Sequence, residues 1–336
     1  MPLPASRAVR KVKVYQVDAF TDVPFGGNPA GVVPDAAGLS DAEMQLIARE
    51  MALSETAFVL PVSPAGQGQA DLRVRFFTPK AEVELCGHAT IGTFWLLAKL
   101  GRIGAKGWGR ELAGTGRWRE VQLVQETGAG NLPVIVRYSR GGRRIDRVLM
   151  AQARPRRLAR LGDAERAELA AILHVNPFSI CVLHRVGDAP AEIWTTGLPD
   201  LILPVLDLAT LRALAPDHGR LAELSRRLGV ISVHAFTLET ESPKADAHAR
   251  DFSPAVGIAE ESATGTASGA MGAYMAANRL GRACAGPGPH TLLFEQGHIL
   301  GRPSSINVEV DGEEGHPSAV RVGGRAVTVL EGVLRF

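Results

Sequence analysis

An internal repeat is the feature that most constrains how this chain of 336 residues can fold. The segment "GNPAGVVP" (27–34) has the same spacing of Gly and Pro as "GLPDLILP" (197–204). Further along, "LSETAFVL" (53–60) aligns without a gap with "ISVHAFTL" (231–238), and both have the composition of β-strands. Matches that recur in one order predict two similar domains.

Each half ends in a glycine-rich turn followed by a helical pattern, "GHATIGTFWLLAKLG" and "ATGTASGAMGAYMAANRLG". The order of strands and helices predicts an α+β fold in which each domain wraps a mixed sheet around a central helix. We expect the N-terminal domain to comprise residues 1–118, completed by a C-terminal strand at about 325–336. Residues 119–324 form the second domain. Duplicated domains commonly bind a ligand in the cleft between them, so the active site is expected there.

Composition excludes several classes of protein. The net charge is +2, and the basic stretches within residues 137–161 lack interleaved aromatic residues. We therefore interpret those stretches as a solvated loop and helix edge and expect no nucleic-acid partner. No apolar run approaches the length of a membrane span, and the basic N-terminus lacks the apolar segment of a signal peptide.

The cysteines and glycines narrow the choice further. Cys86, Cys181 and Cys284 include no CxxC pair, which fits a reducing cytoplasm and no disulfide framework. No GxGxxG follows a predicted strand, so a dinucleotide cofactor is not expected. Cys86 and His88 are two positions apart, and no nearby His or Cys pair completes a tetrahedral metal site. We expect neither a metal nor another cofactor.

The two predicted helix starts favour a small anionic substrate. A helix N-terminus presents free backbone N–H groups and about half a positive charge. Gly87 and Gly265 allow a ligand to approach the backbone closely, and Thr90, Thr264 and Thr266 add hydroxyl donors. Two such turns facing one cleft would bind a carboxylate.

The residue pattern alone does not identify which side chain transfers protons. Glu55 replaces the Val233 of the other half, in a strand of apolar residues. It is either a residue on the solvent face of an alternating strand or a desolvated acid/base. Cys86 is either an activated thiol at a helix start or an inert buried residue. His88 is either a structural residue or a substrate contact.

Six motifs together resemble the PhzF-like isomerases of the phenazine-biosynthesis type, within the diaminopimelate epimerase-like superfamily. They are "DAFTDVPFGGNPAGVV", "SETAFV", "RFFTPKAEVELCGHATIGT", "TTGLPDLILPV", "ESATGTASGAMGAYM" and "EQGHILGRPS". The resemblance covers residues 13 to 333 and is weaker near 104–170. It implies the same two-domain fold, a site between the domains, and a homodimer.

The resemblance also implies roles for individual residues. The family's catalytic glutamate falls on Glu55, and its "GH" motif falls on Gly87 and His88, which would bind and orient the substrate. Its acidic residue falls on Glu261, although the family's Asp-Pro is Glu-Ser here. The catalytic candidates are Glu55, His88 and Glu261. The substrate-binding candidates are Asn28 at the entrance, Cys86, Gly87, Ser262, Thr264, Gly265 and Thr266.

We therefore expect a cofactor-independent isomerase in which Glu55 removes and returns a proton on a small carboxylate substrate. Related racemases pair two cysteines, but the residue opposite Cys86 is Ser262, whose hydroxyl is a poor base without help. A one-sided epimerase, racemase or dehydratase that uses Cys86 is the alternative. A non-catalytic protein that binds small anions is another.

Overall fold

The computed structural model describes residues 10–104, 107–112, 118–139 and 144–336. These residues form two compact units. Unit 1 comprises residues 10–19, 29–146 and 326–336 apart from the gaps, and unit 2 comprises residues 20–28 and 147–325. No helix within the described ranges is long and apolar enough to cross a membrane.

Unit 1 is a mixed sheet with two helices. Its strands are β1 (Lys11–Ala19), β2 (Asn28–Val33), whose first residue belongs to unit 2, β3 (Thr56–Leu60), β4 (Leu72–Phe77), β5 (Glu82–Val83), β6 (Arg110–Leu112), β7 (Trp118–Thr127), β8 (Gly130–Ser139) and the last strand of the chain, β21 (Ala326–Arg335). Its helices are α1 (Asp41–Met51) and α2 (Gly87–Lys99). β21 pairs antiparallel with β1, so the C-terminus closes this unit.

Unit 2 contains the remaining elements. Its strands are β9 (Ile145–Ala151), which starts in unit 1, then β10 (Arg156–Arg160), β11 (Val182–Leu183), β12 (Gly187–Asp188), β13 (Glu192–Thr195), β14 (Pro199–Pro204), β15 (Ser232–Thr237), β16 (Ala247–Ser253), β17 (Ile258–Glu261), β18 (His290–Gln296), β19 (Ser304–Glu313) and β20 (His316–Gly324). Its helices are α3 (Asp163–Ile172), α4 (Leu208–Ala213), α5 (His218–Leu228) and α6 (Gly265–Ala277).

The two units repeat one topology. In unit 1, β2 is parallel to β3, β3 is antiparallel to β4, and β4 is parallel to β7. In unit 2, β14 is parallel to β15, β15 is antiparallel to β16, and β16 is parallel to β18. The matched sequence segments occupy corresponding strands, β2 with β14 and β3 with β15. The predicted α+β class and the duplication are confirmed.

A buried helix occupies the centre of each unit. Helix α2 is apolar almost all round and packs against β1, β3, β8 and β21, as expected for a helix without a solvent face. Helix α6 packs against β13, β14, β15, β18, β19 and β20. A Cβ at Gly272 would lie 2.6 Å from Val308 Cγ1, so the glycines of α6 let the sheet approach closely. The predicted starts of both helices, at Gly87 and Gly265, are confirmed.

The boundary between the units differs from the expected division after residue 118. Strands β7 and β8 belong to unit 1 because β7 pairs with β4 and β8 pairs with β7. Arg137 lies in β8, Arg147 in β9, and Arg156, Arg157 and Arg160 in β10, so the predicted helix edge is wrong. The centre of the predicted loop, residues 140–143, lies outside the described residues.

Candidate active site

Glu55 and His88 meet within unit 1. Glu55 immediately precedes β3, where its carbonyl accepts a hydrogen bond from Gly31 N at 2.9 Å. His88 lies in the first turn of α2. Glu55 Oε2 lies 3.3 Å from His88 Nε2, and the two side chains are 18% and 9% exposed. The fold therefore places a carboxylate against a buried imidazole.

The imidazole of His88 is uncharged at neutral pH. Burial lowers its pKa, and this effect outweighs the opposing influence of the Glu55 carboxylate and of the hydrogen bond to the Pro29 carbonyl. Although Glu55 Oε2 is within ion-pair distance of the ring, this buried oxygen accepts no hydrogen bond from any group among the described residues. An unpartnered buried acceptor costs about 1–3 kcal/mol, a cost that a reacting proton can offset.

Two further side chains contact the same ring. Cys86 Sγ lies 3.4 Å from His88 Nδ1, and Cys86 is buried. Ser54 Oγ lies 3.3 Å from His88 Nε2. Ser54 is not among the residues predicted for the site, although it belongs to the "SET" motif that carries Glu55. The ring of His88 thus connects a thiol, a hydroxyl and a carboxylate.

The expectation that Thr90 offers its hydroxyl to a ligand is wrong. Thr90 is fully buried, and its Oγ1 donates to the Cys86 carbonyl at 2.8 Å. This bond to the residue four positions earlier is the local pattern that Thr adopts within helices. Cys86 itself provides no side-chain cap for α2, whereas Ser40 and Glu43 form a complete capping box on α1. The N–H groups at the start of α2 therefore lack a side-chain acceptor from the N-cap residue.

In unit 2, the buried side-chain amide of Asn28 binds the carboxylate of Glu261. Asn28 is 4% exposed, and its Nδ2 donates to Glu261 Oε2 at 2.9 Å and to the Ala263 carbonyl at 3.0 Å. Glu261 is the last residue of β17 and leads into the turn that precedes α6. Asn28 thus fixes the position of the Glu261 carboxylate.

A buried glutamine, which the sequence analysis missed, holds the turn before α6. Gln296 Oε1 accepts from Thr264 N at 3.1 Å, and its Nε2 donates to the Glu261 carbonyl at 2.9 Å and to Thr264 Oγ1 at 3.1 Å. Ser262 donates its hydroxyl to the Gly27 carbonyl at 3.0 Å. The hydroxyl proton of Ser262 is therefore already donated to an acceptor within unit 2.

The start of α6 resembles the start of α2. Thr264 is the N-cap residue, and its side chain makes no capping hydrogen bond. Gly265 is buried, and Thr266 is half-buried with its carbonyl accepting from Thr196 Oγ1 at 3.3 Å. Each unit therefore contains one helix start without a side-chain cap beside a candidate acidic residue.

Potential metal ligands also converge in unit 1. Ligand atoms of Glu55, Cys86 and His88 lie within 4.8 Å of one another, the one such group of three found among the described residues. Along the sequence, only Cys86 and His88 of this group lie close together. Folding adds Glu55, which is about 30 positions distant along the chain and which spacing rules therefore do not detect.

Comparison with known proteins identifies the family. Residues 17–332 match the family model PhzC-PhzF, described as phenazine biosynthesis-like protein. The chain is 41% identical to an uncharacterized isomerase of Deinococcus radiodurans, over 95% of this chain and 93% of that protein. It is 34% identical to the uncharacterized isomerase YddE of Escherichia coli, over 95% of this chain and 97% of that protein.

Solved structures agree with the sequence matches. The fold is similar to that of a Bacillus anthracis phenazine biosynthesis protein of the PhzF family, with a TM-score of 0.78, 32% identity, and coverage of 97% of this chain and 99% of that chain. It is also similar in fold to a hydroxyproline epimerase from Agrobacterium vitis, with a TM-score of 0.57, 15% identity, and coverage of 97% and 93%. The chain therefore belongs to the PhzC-PhzF family of phenazine biosynthesis-like proteins and is an isomerase of that family.

Proposed function

We propose that this protein is a cofactor-independent isomerase that moves a proton between two positions of a small carboxylate-bearing substrate, with Glu55 as the general acid/base. The observation that carries the proposal is the buried Glu55 Oε2, which no described group satisfies and which lies 3.3 Å from a neutral imidazole. A positioned carboxylate without a competing donor is ready to accept a carbon-bound proton.

His88 supports the proton transfer. Because its ring is neutral, one nitrogen donates a hydrogen bond and the other accepts one. The Pro29 carbonyl accepts a hydrogen bond from the ring, which restrains its orientation. We propose that His88 orients the substrate and stabilises the charge that develops when Glu55 removes the proton. Glu55 then returns the proton to another atom of the substrate.

The start of each central helix provides binding groups for the anion. Neither Cys86 nor Thr264 caps its helix with a side-chain hydrogen bond, so the N–H groups at Gly87 and Gly265 favour a carboxylate ligand. We propose that these N–H groups bind the carboxylate of the substrate. In this proposal Glu261, held by Asn28, is the acidic group beside the helix start of unit 2.

A second candidate is a one-sided epimerase, racemase or dehydratase that uses Cys86 as the base. The contact between Cys86 Sγ and His88 Nδ1, 3.4 Å, favours it because an imidazole can accept the proton of a thiol. A racemase with two matched bases is disfavoured, since the Ser262 hydroxyl is bound to the Gly27 carbonyl. Glu55 and Cys86 therefore compete for the role of base.

Deuterium exchange separates these candidates. Carboxylic acids are screened for stabilisation of the protein against heat, and each acid that binds is incubated with enzyme in deuterated water and followed by NMR. If Glu55 is the base, Glu55→Gln abolishes exchange at carbon while the acid still binds, and Cys86→Ala retains exchange. The reverse pattern would establish Cys86 as the base.

Two controls complete this experiment. Glu50→Gln makes the same chemical change on the exposed end of α1 and is expected to leave exchange unchanged. Binding without exchange for every acid, in the unmodified enzyme, would contradict both catalytic candidates and support a non-catalytic anion-binding protein.

Assembly and compartment are part of the proposal. We propose a homodimer, which light scattering after size-exclusion chromatography tests against a monomer of 35.7 kDa. The three cysteines are all buried and none forms a disulfide, which fits the reducing cytoplasm.

A further inference from the structure

The residues proposed to move the proton also have the chemistry of a zinc site. Glu55, Cys86 and His88 offer oxygen, sulfur and nitrogen, and their ligand atoms lie within 4.8 Å of one another. Zn²⁺ binds this mixture of donors readily, whereas Mg²⁺ and Ca²⁺ prefer oxygen alone. The set therefore favours a thiophilic divalent ion.

The distances fit tetrahedral coordination. Zinc bond lengths of about 2.0–2.3 Å place a nitrogen and an oxygen ligand about 3.4 Å apart, and a sulfur and a nitrogen ligand about 3.6 Å apart. His88 Nε2 lies 3.3 Å from Glu55 Oε2 and 3.9 Å from Cys86 Sγ. Cys86 Sγ and the Glu55 ligand oxygen lie within 4.8 Å of each other. Side-chain movements of up to about 1 Å would therefore bring all three atoms into the first coordination sphere.

The surroundings also suit a metal. Glu55 Oε2 is buried and has no hydrogen-bond partner among the described residues, so no existing bond has to break when it coordinates an ion. His88 is held by the Pro29 carbonyl, the kind of outer-shell contact that fixes a metal-binding imidazole. Three protein ligands leave a fourth tetrahedral position open.

We infer that Glu55, Cys86 and His88 form an inhibitory site for Zn²⁺ or a similar thiophilic ion. On binding, the Cys86 thiol releases its proton to solvent, and the ion takes the lone pairs of Glu55 and His88. Neither residue can then take part in proton transfer. Inhibition rests on the proposed role of Glu55, but binding of the ion does not.

Metal titration tests the site without any substrate. Protein freed of metal with a chelator is titrated with Zn²⁺ against a chromogenic competitor, and with Co²⁺ to detect the sulfur-to-cobalt charge-transfer band. We expect one equivalent to bind with this band. Cys86→Ala should lose the band and weaken Zn²⁺ binding more than about 100-fold. Loss of an outer-shell partner typically lowers metal affinity by only about 10–100-fold, so a larger effect indicates a direct ligand.

Cys284→Ala is the matched control because it removes another buried thiol, in unit 2. It should keep one equivalent of Zn²⁺ and the cobalt band. Absence of binding to the unmodified protein, or equally tight binding to Cys86→Ala, would overturn the site.

Inhibition is measured by deuterium exchange on an acid that the enzyme turns over. One equivalent of Zn²⁺ should suppress exchange, EDTA should restore it, and any exchange that Cys86→Ala retains should be insensitive to Zn²⁺. Occupancy of the site with unchanged or faster exchange would overturn the inhibitory role. If no acid exchanges in metal-free enzyme, the proposed function fails, while the cobalt band still reports whether the metal site exists.

Discussion

Replacing Asn28 with Ala tests how unit 2 holds the carboxylate of Glu261. The substitution removes two hydrogen bonds of a side chain that is 4% exposed, 2.9 Å to Glu261 Oε2 and 3.0 Å to the Ala263 carbonyl. A bond to a charged group contributes about 1.5–3 kcal/mol and a neutral bond about 0.5–1.5 kcal/mol. We therefore expect Asn28→Ala to lower the free energy of unfolding by about 2–4.5 kcal/mol.

Urea unfolding followed by circular dichroism measures this loss. If the two units unfold in separate transitions, the change should fall in the one assigned to unit 2. Asn131→Ala is the matched control, since Asn131 donates to Gln69 Oε1 at 3.3 Å on the surface. It should cost less than about 0.5 kcal/mol.

The variant Asn28→Asp provides a second test of the same hydrogen bond. Asn28→Asp keeps the shape of the side chain but places an acceptor against the Glu261 carboxylate, so it should be at least as unstable as Asn28→Ala at neutral pH. Equal stability of Asn28→Ala and Asn131→Ala, or a stable Asn28→Asp protein, would refute the argument that the Asn28 amide holds Glu261.

Three other predictions concern buried groups. Burial raises the pKa of Asp200 well above its usual range. The protonated side chain therefore stabilises the folded protein fully below about pH 4, and this stabilisation is lost as pH rises through the folded-state pKa. Asp200→Asn should flatten that part of a curve of unfolding free energy against pH. Burial raises the pKa of Cys181, and it raises the pKa of Cys284 to about 12. Thiol reagents at pH 8 should therefore modify neither cysteine until denaturant is added. Rapid modification of Cys181 or Cys284 in the native protein would contradict this. A Cβ at Gly323 would lie 1.8 Å from the Val148 carbonyl oxygen, so Gly323→Ala should cost about 1–3 kcal/mol in thermal unfolding, and a cost near zero would show that β9 and β20 can separate.

Much of the fold follows from the sequence because the repeat marks equivalent strands and helices. Glycine-rich turns predicted the starts of α2 and α6 at Gly87 and Gly265. The expected division after residue 118 does not account for the pairing of β4 with β7. Contacts between strands that are distant along the chain leave no periodic signal in the sequence. The sequence does not predict strand β10, because all its side chains are exposed and no apolar alternation marks it.

The site was less predictable than the fold. Periodicity could not decide whether Glu55 faces solvent, because that depends on where α2 places His88. The role of Thr90 does not follow from the sequence, because composition does not reveal that its hydroxyl donates to the carbonyl of the N-cap residue Cys86. Gln296 does carry a signal in the sequence, since it is a polar residue at the end of a buried strand and directly before a glycine.

The central claim, that Glu55 transfers the proton, is tested most directly by comparing solvent-deuterium incorporation into one bound acid by the unmodified enzyme and by Glu55→Gln, with binding of the acid measured for both. General acid/base catalysis contributes about 10²–10⁴-fold, so exchange should fall by at least about 100-fold while binding is retained. Exchange by Glu55→Gln at close to the unmodified rate would contradict the claim.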